Sequence, residues 1–479
     1  MKTPDCDRFY IGGEWVAPAG ASSAVPIIDP ASEAQIGTVT LGSIADVDRA
    51  VAAARAAFPA FSATDPGERA ALLRRIAELL DERAEDIAQA ITREMGCAIG
   101  FSRAAQVPFG IAHVRAAIEV LDRFDFLRRQ GTTAIAREPI GVCTLITPWN
   151  WPLYQMTAKV APALATGCTM VLKPSELSPL SAQIFAQVLD DAGVPAGVFN
   201  MVMGAGPDVG AALSRHADVD MVSITGSTRA GVEVAMAAAP TVKRVTQELG
   251  GKSPNILLDD ADFANVVAPG VASAMRNAGQ SCSAPTRMLV PRDRLAEVEA
   301  LAVAAAEAMT VGDPADENTL MGPLANRPQF DKVQAMIEMG IAEGARVVCG
   351  GTGRPDGLTR GFYARATIFS GVSMDMRIAS EEIFGPVLCL VPYRDEEDAI
   401  RIANDTCYGL GAHVQSADLD RARRVARQIR AGQVHINLPA WDAHAAFGGY
   451  KQSGNGREYG VFGFEEYLET KAMLGYFPS

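Results

Sequence analysis

The chain has eight cysteines (Cys6, Cys97, Cys143, Cys168, Cys282, Cys349, Cys389 and Cys407) but no Cys-x-x-Cys pair, and none of its five histidines stands at metal-ligand spacing. The scatter argues against structural zinc and against a disulfide framework. No apolar run approaches the ~18 residues of a membrane span. The N-terminal MKTPDCDRFYIGGEW also lacks the continuous apolar stretch of a secretion signal. A cytoplasmic protein with no membrane partner is therefore expected. Basic residues are the scarcer sign, 43 Lys and Arg against 56 Asp and Glu, for a net charge of −13. That balance argues against nucleic acid or an anionic membrane as the main partner. An anionic substrate would need a local basic pocket. Fixed-period repeats and low-complexity tracts are absent too.

What is present is length and apolar content. The 479 residues, 48% apolar, suffice for two or three domains with ample cores. Helices are expected through the first quarter. Ser43 with Asp46 reads as a cap ahead of the stripe Val47, Val51, Ala54 and Phe58. Asp65, Pro66 and Glu68 open a second helix, with Leu72, Leu73, Ile76 and Leu80 inward.

From about residue 142 short apolar runs alternate with amphipathic segments, the grammar of βαβ units. Strands are predicted at 142–147, 169–173, 198–203, 219–225 and 243–249, paired in parallel and covered by helices on both faces. Each is followed by a polar or glycine-bearing turn: Pro148 to Pro152, Lys173 to Glu176, Gly204 to Pro207 with Gly210, Thr225 to Ser227, and Glu248 to Gly251. Ligands bind beyond the carboxyl ends of such strands, so five turns converging there describe one site.

Taken singly, these turns say less. Gly226 and Ser227 can meet a phosphate where a strand gives way to a helix, but an ordinary strand-to-helix turn reads the same way. Gly204, Gly206 and Gly210 are one residue off the usual dinucleotide spacing. Gly251, Lys252 and Ser253 imitate the end of a Walker loop, whose first glycine would fall at Thr246. Glu176 is placed to accept from a ribose 2′-hydroxyl and to repel a 2′-phosphate, which favours NAD, while Lys173 and Ser175 leave NADP possible. Cys282, in the small polar loop GQSCSAPTR, reads as accessible, after a helix predicted over 262–277 and before the strand TRMLV. Cys143, Cys168 and Cys389 lie inside apolar runs and read as inert.

PWNWP, the Lys173 to Glu176 segment, ITGST, ELGGKSPNI, GQSC, EEIFGPV and FGGYKQSG are seven motifs that together resemble, in order and spacing, the aldehyde dehydrogenase superfamily. The resemblance implies an α/β fold: a Rossmann-like NAD-binding domain (1–123 and 141–249), an α/β catalytic domain (250–450), and a small β oligomerisation arm with the C-terminal tail (124–140 and 451–479). It implies Cys282 as nucleophile, Glu248 as general base and Asn150 as oxyanion donor. Ile146, Thr147, Trp149, Lys173, Ser175, Glu176, Gly206, Gly210, Gly226, Ser227, Glu382 and Phe384 would line the cofactor site, with Glu382 on the nicotinamide ribose.

The implied reaction is NAD(P)-dependent oxidation of an aldehyde to the acid through a thiohemiacetal and a thioester, hydrolysed by water that Glu248 activates. Relatives that pass the acyl group to coenzyme A commonly lack this glutamate. Trp151, Tyr154, Trp441 and Phe447 would line the substrate channel, whose aromatic walls suit an apolar medium- or long-chain, terpenoid or aromatic aldehyde. Alternatives are a semialdehyde or oxo-acid dehydrogenase, or a catalytically silent NAD-binding relative. Ala158, eight residues after Asn150, stands where many relatives carry a bulky aromatic, which predicts a wider entrance. His435, in the strand QVHINL, is expected to be packed or hydrogen-bonded there. The edge-strand material TTAIAREPI and EEYLETKAMLGYFPS implies pairing between subunits into a homodimer or homotetramer.

Overall fold

In the computed structural model, which describes residues 6–20 and 22–478, two open sheets each gather a core. The first sheet runs in the order Gly454–Asn455, Arg244–Glu248, Met221–Thr225, Val142–Ile146, Thr169–Lys173, Phe199–Met201, Phe9–Ile11 and Glu14–Val16. Its five inner strands are the five read from the sequence, and they pair in parallel. Every residue of Val142–Ile146, Thr169–Lys173 and Met221–Thr225 is buried, as a parallel sheet covered on both faces requires. The outer strands are antiparallel additions.

The helices of the first quarter begin where capping chemistry places them. The Asp46 carboxylate accepts from the Ser43 N–H (2.9 Å) and hydroxyl (2.8 Å), opening Ile44–Ser62. Asp65 accepts from the Gly67 N–H (2.7 Å) at the start of Pro66–Glu82. These helices bury Val47, Val51 and Ala54, and Leu73, Ile76 and Leu80.

The second sheet has seven strands in the order Arg346–Cys349, Thr367–Ser370, Val387–Tyr393, Arg287–Pro291, Pro254–Leu257, Gly411–Gln415 and Gln433–Ile436. All pair in parallel except the edge strand Arg346–Cys349. A third, antiparallel sheet joins Leu127–Gln130, Thr133–Pro139 and Leu468–Met473. The segment 451–479 does not enter it whole. Gly454–Asn455 instead pairs with Gln247 and Glu248 at the edge of the first sheet, and Gly460–Glu465 buries Phe464 in that sheet's core. Only the strand Leu468–Met473, exposed through most of its length, joins the third sheet.

Candidate active site

Turns from both sheets enclose two cavities. One, of about 300 Å³, is lined from the first sheet by Trp149, Asn150, Thr225, Gly226, Ser227 and Gly250, and from the second body by Gln329, Lys332, Glu382 and Phe384. The other, of about 480 Å³, is walled by aromatic and small polar side chains. Cys282 is the one residue among those lining them that belongs to both.

The local backbone that presents Cys282 is forced. The helix Phe263–Met275 ends at Arg276, and Asn277, Ala278 and Gly279 follow with φ of 57°, 53° and 71°. Left-handed backbone at residues other than glycine costs of order 1–3 kcal/mol each and persists only where its surroundings hold it. Gly279 is obligatory, because a Cβ there would lie 2.0 Å from the Gly385 carbonyl oxygen. Buried amides hold the loop. Asn277 Nδ2 (2.8 Å) and Gln106 Nε2 (3.0 Å) donate to the Asn150 carbonyl, and Asn150 Nδ2 donates to the Gln280 carbonyl (2.9 Å). Gln280 Oε1 in turn accepts from the Ala325 N–H (2.9 Å). Among the described residues the Cys282 N–H donates to none. The thiol is half-buried rather than openly accessible; burial, then Glu382, Glu248 and Glu458, push its pKa up.

Glu248 ends the strand Arg244–Glu248 and is 3% exposed, with neither carboxyl oxygen hydrogen-bonded. Burial foremost, then the Glu458 charge, raises its pKa well above the ordinary carboxyl value, against the opposing pull of Lys159. Lys159 is itself bound to Glu458 and to Ser223 Oγ (2.9 Å). The Glu248 carboxyl lines neither cavity and lies instead against Gly448.

The twelve cofactor candidates divide in two groups. Trp149, Gly226, Ser227, Glu382 and Phe384 line the smaller cavity, with Trp149 edge-on to Phe384 at 5.6 Å. Glu382 accepts from the Gly251 N–H (3.0 Å), and a Cβ at Gly250 would meet its carboxylate at 2.4 Å, so glycine is what admits that carboxylate. Ser227 caps Thr228–Ala238. The others lie off that cavity's wall. Ile146, Thr147 and Gly210 are buried, and no described group bonds the Thr147 hydroxyl. Lys173 is committed to the carbonyls of Pro174 (2.9 Å) and Gly204 (2.8 Å) and lies 3.7 Å from Glu176. Ser175 accepts from the Leu177 N–H (3.2 Å), and Gly206 faces open space. A carboxylate, a helix N-terminus and an aromatic pair around a glycine-lined cleft suit a dinucleotide.

The larger cavity gathers the substrate candidates Trp151, Tyr154, Trp441 and Phe447. Trp151 Nε1 donates to Ser281 Oγ (2.8 Å), and Trp441 stacks on Phe109 at 4.3 Å. Ala158 does not open the entrance. It is buried in an apolar cluster with Phe447 and Tyr459, and Tyr459 lines the cavity in front of that cluster, stacked on Phe447 at 4.9 Å. His435 is not hydrogen-bonded within its strand; it stacks on His413, its register partner on the next parallel strand, at 4.5 Å, and both line the cavity. Phe109, Arg276, His413, Gln433 and Tyr459 escaped sequence reasoning, since each reaches the wall from its own segment. Gln106, Asn277 and Gln280 escaped it too, though an asparagine two positions ahead of Gly279 hints at a left-handed turn.

A family model described as "Aldehyde dehydrogenase family" matches residues 15–473. A 3-succinoylsemialdehyde-pyridine dehydrogenase of a Pseudomonas species is 56% identical over 473 residues, covering 98% of this chain and 99% of that protein. The solved structure of a mutant aldehyde dehydrogenase C from Pseudomonas syringae, in complex with NAD+ and octanal, superposes with a TM-score of 0.98 at 64% identity, covering 99% of this chain and 98% of that one. An aldehyde dehydrogenase from Bartonella henselae gives a TM-score of 0.96 at 44% identity, covering 98% and 99%.

Proposed function

The chain belongs to the aldehyde dehydrogenase family, and on that premise we propose that it oxidises an aldehyde with an apolar or aromatic body to the free carboxylic acid, with NAD as hydride acceptor. The observation that carries this reading is the position of Cys282, which among the described residues alone lines both the glycine-rich cleft and the aromatic cavity. The octanal complex and the semialdehyde-pyridine relative support an aldehyde whose body is held by apolar walls.

The Cys282 thiol gives its proton to water, which carries it to solvent, and the sulfur adds to the carbonyl carbon, so an alkoxide forms on the former carbonyl oxygen. The Asn150 amide, held by its bond from Nδ2 to the Gln280 carbonyl, and the Cys282 backbone N–H supply its donors. Trp149, Ser227, Glu382 and Phe384 would hold NAD, which when bound would supply the two-electron hydride acceptor needed for the alkoxide to give way to a thioester on Cys282. Glu248, turned toward Cys282, takes a proton from the water that attacks this thioester, and the thiol is restored as the acid leaves. Its raised pKa suits it to that transfer, since a base works best with a pKa near the working pH.

The test is NADH formation with octanal in the parent enzyme and in Cys282→Ser, together with mass spectrometry of acid-quenched mixtures. We expect NADH and octanoate from the parent, an octanoyl mass on the peptide carrying Cys282, and neither product from the variant. Full turnover in Cys282→Ser overturns the reading.

A further inference from the structure

The cofactor cleft lies between two bodies, with turns of the first sheet on one side and Gln329, Lys332, Glu382 and Phe384 on the other. Its width therefore depends on what joins those bodies. One such join is the two-stranded hairpin of Ser23–Asp29 and Ala34–Leu41. Ile27 and Val39 root it in a core of the first sheet, while its turn, Pro30 to Glu33, reaches the second body. There the Pro30 carbonyl accepts from the Phe362 N–H (3.0 Å).

Glu33 closes this turn with φ of 57°, left-handed backbone that a residue other than glycine keeps only where its surroundings impose it. Glycine would hold the turn more easily, so the turn alone gives no reason for a glutamate. The carboxylate accepts from three donors of the second body: Arg327 Nη2 (2.9 Å), the Gly361 N–H (2.9 Å) and Arg354 Nη2 (3.2 Å). An isolated surface ion pair is worth little, but this side chain is 28% exposed and is shared by two guanidiniums and an amide. Arg327 is the first residue of the helix Arg327–Ala342, where the helix dipole disfavours a cation unless an acid accompanies it. Two residues on, Gln329 Nε2 donates to the carbonyls of Ile383 (3.2 Å) and Phe384 (2.7 Å), and Lys332 follows on the cleft wall. A continuous path thus runs from the Glu33 carboxylate, through the head of one helix, to the backbone beside Glu382.

We propose that Glu33 is a positioning residue for the cofactor: by tying Arg327 to a hairpin rooted in the first sheet, it holds Gln329, Lys332 and Phe384 at the distance from the first-sheet turns that a dinucleotide needs, and so raises affinity for NAD. This rests on the reading of the smaller cavity as the NAD cleft. Glu33 lines neither cavity, so it acts by preorganising the cleft and not on the bond changes at Cys282.

The test is calorimetric titration of NAD+ into the parent, Glu33→Gly, Glu33→Gln and Arg327→Met in the absence of aldehyde, beside steady-state KM values for NAD+ and for octanal. Glu33→Gly removes the carboxylate while relieving the backbone, so a loss in that variant does not come from added strain. It should raise Kd for NAD+ by about 3- to 30-fold, the range for breaking a coupling contact, and leave KM for octanal within about two-fold. Glu33→Gln, whose amide oxygen can still accept from Gly361, should show a smaller rise. Arg327→Met should match Glu33→Gly, and the double variant should bind no worse than either, since both remove one tie. Added salt should weaken NAD+ binding more in the parent than in Glu33→Gly, because partly exposed charges are screened. An unchanged Kd in Glu33→Gly overturns the proposal even if the variant melts earlier, and so do additive losses in the double variant. Should Glu33→Gly fail to fold, the salt response of the parent against Glu33→Gln decides, and an equal response overturns the proposal. If the parent binds NAD+ and the variants bind it as tightly, only the tie falls; if the parent does not bind NAD+ at all, the reading of the cleft has failed instead.

Discussion

The two cavities that share Cys282 are built on different principles. On its first-sheet side the smaller is a set of turns, each continuous with a parallel strand: Trp149 and Asn150 after Val142–Ile146, Gly226 and Ser227 after Met221–Thr225, Gly250 after Arg244–Glu248; Gln329 and Lys332 of the helix Arg327–Ala342, with Glu382 and Phe384, face them. The larger is assembled from single side chains carried by a helix (Phe109), a helix end (Arg276), two strands (His413, His435) and a strained loop residue (Tyr459, φ 68°). Backbone geometry fixes the first, so its contents follow from local turn chemistry. Packing fixes the second, and one substitution can reshape it without disturbing the fold.

This contrast implies that changes at the shared junction weaken every aldehyde alike, whereas changes in the larger cavity discriminate among aldehydes. Glu248→Gln should have the largest effect of the variants below. Losing the base should lower steady-state turnover by about 10²- to 10⁴-fold for short and long aldehydes equally, and the acylated enzyme should accumulate. Because burial raises the Glu248 pKa, the parent's deacylation rate should drop as pH falls through that raised value, and the variant should lose this acid limb; rapid-quench rates across pH check both. Asn150→Ala should follow, at about 10²- to 10³-fold in kcat, again independent of the aldehyde. A strong dependence on chain length in either variant would break the contrast.

Trp441→Ala should have the smallest effect and sharpen the contrast from the other side. Removing the ring stacked on Phe109 at 4.3 Å should raise KM for octanal by about 3- to 10-fold, an aromatic contact's usual worth, and leave acetaldehyde within two-fold. An equal rise for both aldehydes would mean that this wall shapes the junction rather than the body of the substrate.

The same difference explains how far the sequence could be read. The five central strands and both capped helices were legible, since strand periodicity and capping pairs such as Ser43 with Asp46 are local signals. Cys282, Asn150 and Glu248 could be named from their motifs, but the motifs do not say that the Glu248 carboxyl faces Gly448 and Glu458. Ala158 shows why side chains in the larger cavity were harder. Its small size predicts space, yet Tyr459, some three hundred positions along the chain, lies against it. His435 alternates in its strand like any core residue, and only the register with His413 gives it a face on the cavity. The division of 451–479 was hidden as well, because a two-residue strand carries no periodicity.

One close approach links the two halves of the chemistry mechanically. Gly279 stands against the carbonyl of Gly385, three positions beyond the carboxylate of Glu382. The segment that carries Cys282 and the segment that carries Glu382 are thereby meshed like the teeth of two gears. A residue larger than glycine at 279 would have to push the Cys282 loop away from the Glu382 segment, and so would disturb two walls of the smaller cavity at once.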